Sequence, residues 1–158
     1  PTKVYFIRLI SFSPSETKVY NQPKIKETDW QLKGLNTKNV NLKELENKVV
    51  FVSFWATWCA PCIAEIPSMQ KLYNDYKDNV TFLFVTNEDW QTVSTFYTKK
   101  EFDFPTYNQF TKAPKEFNVT SIPATFIIDK KSNIVVDKRG AANWNSSAIR
   151  SILDKLLN

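Results

Sequence analysis

Cys59 and Cys62 are the residues whose type and spacing most directly suggest chemistry. They stand in the segment Trp58-Cys59-Ala60-Pro61-Cys62 and are the only two cysteines in the chain. Three uses compete for such a pair. A zinc site needs about four ligands, and no histidine or further cysteine exists to complete one. A structural disulfide gains most when it closes a long loop, and a bridge across two residues closes almost none. Redox exchange needs a thiolate that attacks and a second thiol within reach that resolves the mixed disulfide. The spacing supplies both, and the surrounding sequence supplies the means of activation. The pair follows a run that reads as a buried strand and opens a segment of helical period. A helix N-terminus offers unpaired N–H groups and the positive end of the helix dipole, which favour a thiolate on the first cysteine. Pro61 suits the first helical turn, where its missing N–H costs nothing.

The elements around the pair can be read from hydrophobic period. Trp30 to Leu35 and Val40 to Leu42 flank the polar stretch Asn36 to Asn39 and read as a hairpin. Lys43 to Asn47 reads as a helical turn. Val49 to Trp55 is a continuous apolar run, as expected of a strand buried on both faces. Cys62, Ile66, Met69, Tyr73 and Tyr76 then share one helical face, in a helix that Pro67 should kink. Val80 to Thr86 reads as a strand and Trp90 to Lys100 as a helix. Phe102 to Phe110 is irregular or a short strand, and Lys112 to Asn118 forms one or two helical turns. Ile122 to Asp129 and Ile134 to Lys138 form a second hairpin around the turn Lys130 to Asn133. A last helix starts near Asn145 or Ser146, with Ile149, Ile152, Leu153 and Leu156 on its apolar face. This order predicts an α/β fold: a central mixed β-sheet flanked by helices on both faces, with an N-terminal β-hairpin extension.

Composition narrows the function. At 158 residues the chain is expected to form one domain with its own core. Residues 1–28 read as an N-terminal extension and juxtamembrane connector, and residues 29–158 as the domain. Gly34 and Gly140 are the only glycines, which excludes a glycine-rich phosphate loop. The lack of histidine excludes Ser–His and Cys–His nucleophile pairs. The net charge is +5, with 21 basic residues of which only Arg8, Arg139 and Arg150 are arginine. The lysines are scattered singly or in pairs, so no nucleic-acid partner is expected. A mild preference for anionic partners or a membrane surface remains. Val4 to Ile10 is apolar with Lys3 and Arg8 as its basic residues; it reads as a short helix lying on a membrane or on the domain, or as an edge strand. No apolar run approaches the ~20 residues that cross a bilayer.

Phe54-Trp55-Ala56-Thr57-Trp58-Cys59-Ala60-Pro61-Cys62 resembles the active-site motif of the thioredoxin superfamily. Val40 to Leu42, Cys62 to Pro67 and Ser121 to Asp129 extend the resemblance to its TlpA/ResA/CcmG-type branch. The match covers about residues 29–158 and implies a thioredoxin-like fold. It further implies a protein-disulfide reductase in which Cys59 is the exposed nucleophile and Cys62 the resolving thiol. Pro123, after Ile122, matches the cis-proline that lies against the disulfide and offers backbone to an extended substrate. Trp58, Ala60 and Pro61 complete the expected substrate-facing set, with Trp58 shielding the site and Trp55 in the core. Ser53 stands where ordinary thioredoxins carry a buried aspartate, and Ala60 replaces their glycine. The branch carries a glutamate three residues after the second cysteine, here Glu65, to take the proton of Cys62.

The resemblance also implies a setting. The redox-active Cys59–Cys62 disulfide serves in place of any cofactor or metal. The expected partners are disulfide-containing proteins, apocytochromes awaiting haem among them, and an upstream thiol donor such as a membrane thiol transporter. The expected location is extracytoplasmic or periplasmic, with a membrane tether upstream of Pro1. Two other functions compete: a peroxiredoxin-like thiol peroxidase and a non-catalytic thioredoxin-fold binding module. The first needs an arginine beside its cysteine, and none is near the motif in sequence.

Overall fold

A computed structural model of the protein describes residues 22–158. The apolar segment Val4 to Ile10 and most of the expected connector lie outside the described residues.

The elements follow in the order β1 (Gln31–Gly34), β2 (Val40–Asn41), a 3-10 turn (Leu42–Leu45), β3 (Val49–Phe54), α1 (Ala60–Tyr76), β4 (Val80–Val85), α2 (Trp90–Lys100), β5 (Thr106–Gln109), a 3-10 turn (Lys115–Phe117), β6 (Ala124–Ile128), β7 (Ile134–Arg139) and α3 (Ser147–Leu157). The strands form one seven-stranded mixed sheet in the order β2-β1-β5-β4-β3-β6-β7. β3 pairs in parallel with β4 and antiparallel with β6, so the strand that delivers the cysteines lies near the middle of the sheet. Both expected hairpins form, β1 with β2 and β6 with β7. Gly34 is required in the first: a Cβ there would lie 2.0 Å from the Thr37 carbonyl oxygen.

The central strands are buried on both faces, and alternate residues join two different cores. Val49, Phe51, Phe82, Phe84 and Ile127 meet α1, α2 and α3. Val50, Val52, Phe54, Leu83, Val85 and Phe126 meet Ile25, Trp30, Leu42 and Phe117. Helices thus cover both faces, but unequally: the three α-helices share one core, and short 3-10 turns with the N-terminal segment cover the other. The expected connector enters the fold before residue 29. Ile25 is buried, its N–H donates to the Ser132 carbonyl, and Lys24 bridges Asn133.

The caps explain where the helices start. The Asp89 side chain accepts the Thr92 N–H, and the Ser146 hydroxyl accepts the Ile149 N–H. α1 runs unbroken through Pro67, which is exposed. Its buried face is Cys62, Glu65, Ile66, Met69 and Leu72 rather than the expected set. Tyr73 and Tyr76 are half-buried at its edge, because the ideal period of 3.6 residues carries the seam toward Leu72.

Candidate active site

Val49–Phe54 ends at the sheet's interior, and Trp55 continues its path by donating its N–H to the Val85 carbonyl. The chain then turns at Ala56 to Trp58 and enters α1. Cys59 is the N-cap of that helix. Its Sγ accepts the Cys62 N–H at 3.3 Å, and its carbonyl accepts the Ile63 N–H. Cys59 and Cys62 are joined as a disulfide, with Cα atoms 5.2 Å apart. The donor on the Cys59 sulfur and the helix N-terminus behind it favour negative charge at that atom.

The expectation of an exposed Cys59 needs correction. Cys59 is 4% exposed, because a capping side chain folds back over the first helical turn. The exposed residues of the motif are its neighbours Trp58, Ala60 and Pro61. Trp58 is itself 74% exposed and stands out into solvent rather than covering the pair. Trp55 is buried, stacked on Tyr97 with centroids 5.7 Å apart.

Glu65 is 3% exposed, on the buried side of α1 one turn beyond Cys62. Its Oε1 accepts the indole N–H of Trp144 at 2.7 Å and the Ala142 N–H at 3.3 Å. Oε2 is buried without a hydrogen-bond partner. Burial pushes the carboxyl up to about 8, against the opposing effects of the Trp144 and Ala142 donors and the Lys138 charge. A neutral acid fits this geometry: one oxygen accepts two donors and the other holds the proton. Ser53 is also buried, and its hydroxyl shares a hydrogen bond with Thr125 at 3.1 Å.

The Ile122–Pro123 bond is cis. Pro123 is buried and its carbonyl accepts the Gly140 N–H at 2.9 Å. Gly140 has φ +82°, a conformation that favours glycine. It turns the chain out of β7 and toward α3, and residues 142–144 then dock on α1. Besides the two bonds to Glu65, the Trp144 N–H donates to the Ser68 hydroxyl at 2.9 Å. Ile122 and Trp58 both line an open cleft of about 770 Å³ beside the motif.

Several residues of the site carry no signal in the sequence. Trp144 sits in a polar loop, where a tryptophan is unusual, and it is fully buried. Glu88 lies in the loop after β4, and its carboxylate accepts the Thr57 N–H at 2.7 Å and the Thr57 hydroxyl at 2.6 Å. That clamp holds the turn that carries Trp58 and Cys59. The two described arginines are engaged elsewhere, Arg139 with Asp137 and the Phe117 and Asn118 carbonyls, and Arg150 with Asp75 and Asn145. Neither supplies the cation of a peroxidase site.

Known proteins place this arrangement. Relatives include the thioredoxin-like protein YneN of Bacillus subtilis, 33% identical over 110 residues that cover 67% of this chain and 65% of that protein. Another is the thiol-disulfide oxidoreductase ResA of Bacillus cereus, 35% identical over 104 residues covering 64% and 60%. The chain therefore spans less than two thirds of the length of these relatives. Among solved structures, a thiol-disulfide isomerase from Corynebacterium glutamicum superposes with a TM-score of 0.67 at 19% identity, covering 89% of this chain and 99% of that one. A thioredoxin-family thiol:disulfide interchange protein from Chlorobium tepidum gives 0.62 at 24%, covering 86% and 100%. These structural likenesses establish the thioredoxin-like fold. The family model that matches spans residues 24–137, and by that match the chain belongs to the AhpC/TSA family.

Proposed function

We propose that this protein is a thiol–disulfide oxidoreductase that reduces disulfides of partner proteins. The observation that carries the reading is the cysteine pair at the N-terminus of α1, with the Cys62 amide on the Cys59 sulfur. In the reduced protein the Cys59 thiolate attacks one sulfur of the partner's disulfide. A mixed disulfide forms, and the partner's other sulfur leaves as a thiolate that takes a proton from water. Glu65 enters the next step ionised: Cys62 gives its proton to the Glu65 carboxylate and attacks the Cys59 sulfur. The second partner thiolate leaves, and the protein ends as the disulfide with Glu65 protonated. The raised pKa of Glu65 in the disulfide form suits that end state. The pair itself is the redox group of this reading, without metal or organic cofactor, and an upstream thiol donor restores the dithiol.

Ile122 lines the cleft and, with Pro123 after it, offers backbone to an extended partner, while Trp58, Ala60 and Pro61 form the exposed collar it meets. The same reading places the protein outside the cytoplasm on a membrane tether, on the strength of the apolar, basic-flanked residues 3–10. No helix among the described residues is long and apolar enough to cross a membrane. Cell fractionation of the native protein tests the location, and recovery in the cytoplasmic fraction rejects it. The similarity to ResA, a thiol-disulfide oxidoreductase by name, supports the chemistry.

The deciding experiment is the Cys62→Ser variant, which keeps the nucleophile and removes the resolving thiol. It should accumulate mixed disulfides with partner proteins through Cys59 that a thiol reductant releases. A binding module would instead hold its partners without a covalent link, and that result would reject the proposal. The direction of exchange is read from the reduction potential, expected near that of reducing thioredoxins at about −270 mV or modestly higher. A value near about −120 mV would make the protein an oxidant.

A further inference from the structure

We infer that the cleft beside the disulfide is a docking groove for an extended acidic segment of the partner protein, with an apolar side chain seated between Trp58 and Phe110. The inference rests on the oxidoreductase reading and names the class of partner that reading leaves open. Three large hydrophobic side chains are exposed among the described residues, and two of them, Trp58 and Phe110, line this one cleft. Its volume of about 770 Å³ lies within the roughly 300–1,000 Å³ of ligand-binding clefts.

Phe110 is 58% exposed yet its backbone is fixed. It follows β5, its N–H donates to the Gln31 carbonyl at 2.9 Å, and the next residue, Thr111, accepts the Gln31 N–H on its hydroxyl at 2.9 Å. An apolar anchor held on a strand end costs little further ordering when a partner arrives. Half-buried Ile122 gives the groove an apolar wall next to the cis-proline.

Charge identifies the occupant. Lys112 and Lys115 are exposed on the groove and form no ion pair among the described residues. The only carboxylate lining the groove is Glu88, whose oxygens are already taken by the Thr57 N–H and hydroxyl and the Thr86 hydroxyl. Those neutral donors fix the Glu88 carboxylate but leave its charge in place, so two ammonium groups stand against one carboxylate and the lining is net positive, in a protein of net charge +5. A segment with an aromatic or aliphatic residue flanked by aspartate or glutamate complements both features at once.

The test uses two synthetic peptides that share one intramolecular disulfide and one phenylalanine. One carries two aspartates beside the phenylalanine and the other carries two lysines in their place. Each kcat/KM is divided by the same protein's rate on a small uncharged aryl disulfide. The parent should prefer the acidic peptide by about tenfold at low ionic strength, the scale of two partly exposed charge pairs, and lose most of that preference in 1 M salt. The double variant K112E/K115E should reverse the preference, and Phe110→Ala should raise KM for both peptides. Equal rates for the two peptides, or a preference that survives charge reversal, would overturn the groove. Failure of the parent to reduce even the aryl disulfide would instead overturn the oxidoreductase reading. Calorimetric binding of peptides with serine in place of each cysteine then decides the groove by itself: acidic over basic supports it, and no difference rejects it.

Discussion

Glu65 is the residue on which the proposed chemistry turns, and its protonation couples to stability. A buried carboxyl raised to about 8 in the folded protein, against an ordinary value of 4.5, binds its proton more tightly folded than unfolded. Its contribution to stability is fully present below about pH 4.5 and is lost as pH rises toward 8. Thermal unfolding of the parent should show that decline, and Glu65→Gln, neutral at every pH, should remove it. A parent and variant with parallel pH profiles would mean a carboxyl of ordinary acidity. The same variant should slow disulfide reduction near pH 7 by about 10²-fold, with part of the rate returning at high pH as Cys62 ionises unaided. Burial raises the Glu65 carboxyl, and the Trp144 indole N–H opposes that rise by favouring the ionised form. Trp144→Phe deletes that donor, so the pH midpoint of the Glu65-dependent step should move upward. A midpoint that stays or falls would show that the indole has no hold on the carboxyl.

Elements matter here through the loops they bring together. The cysteine turn is held from one side by Glu88, in the loop after β4, and that loop is held in turn by Asn108 of β5, whose amide donates to the Thr86 and Glu88 carbonyls. Glu88→Ala leaves the part-buried Thr57 N–H without its partner, at a cost of about 1–3 kcal/mol. The reduction rate should fall several-fold with it, since the turn aims Trp58 and Cys59. Unchanged stability in denaturant unfolding would show that water replaces the carboxylate without loss. From the other side, residues 142–144, which follow the turn at Gly140, pin α1 through Ser68 and Glu65. The motif helix is thus fixed by two loops that are far apart in the chain.

At the scale of the whole molecule, the sheet divides the interior into two cores, and only one of them contains the cysteines. The second core starts at Ile25, inside what reads as a connector. Ile25→Ala should therefore destabilise the fold by about 2–4 kcal/mol, as for other buried isoleucines, and removal of residues before position 29 should lower the melting temperature further. If neither change alters thermal unfolding, the segment is an appendage rather than a part of the domain.

The sequence alone determined those features that depend on local order. The helix cap at Ser146, the two hairpins, the buried central strand and the cysteine pair at a helix start all follow from nearest-neighbour chemistry and period. The motif further implied the cis bond before Pro123, which the fold contains. Tertiary structure decided what depends on distant segments meeting. Whether Glu65 is a solvated charge or a buried acid is settled by residues 142–144, some 77 positions away. Glu88 acts as a clamp only because β4 lies beside β3, and Phe110 becomes an anchor on the cleft only because β5 pairs with β1. The physical reason is common to all three: burial and hydrogen-bond partners are set by packing between elements, and no local period encodes which side chain will stand opposite.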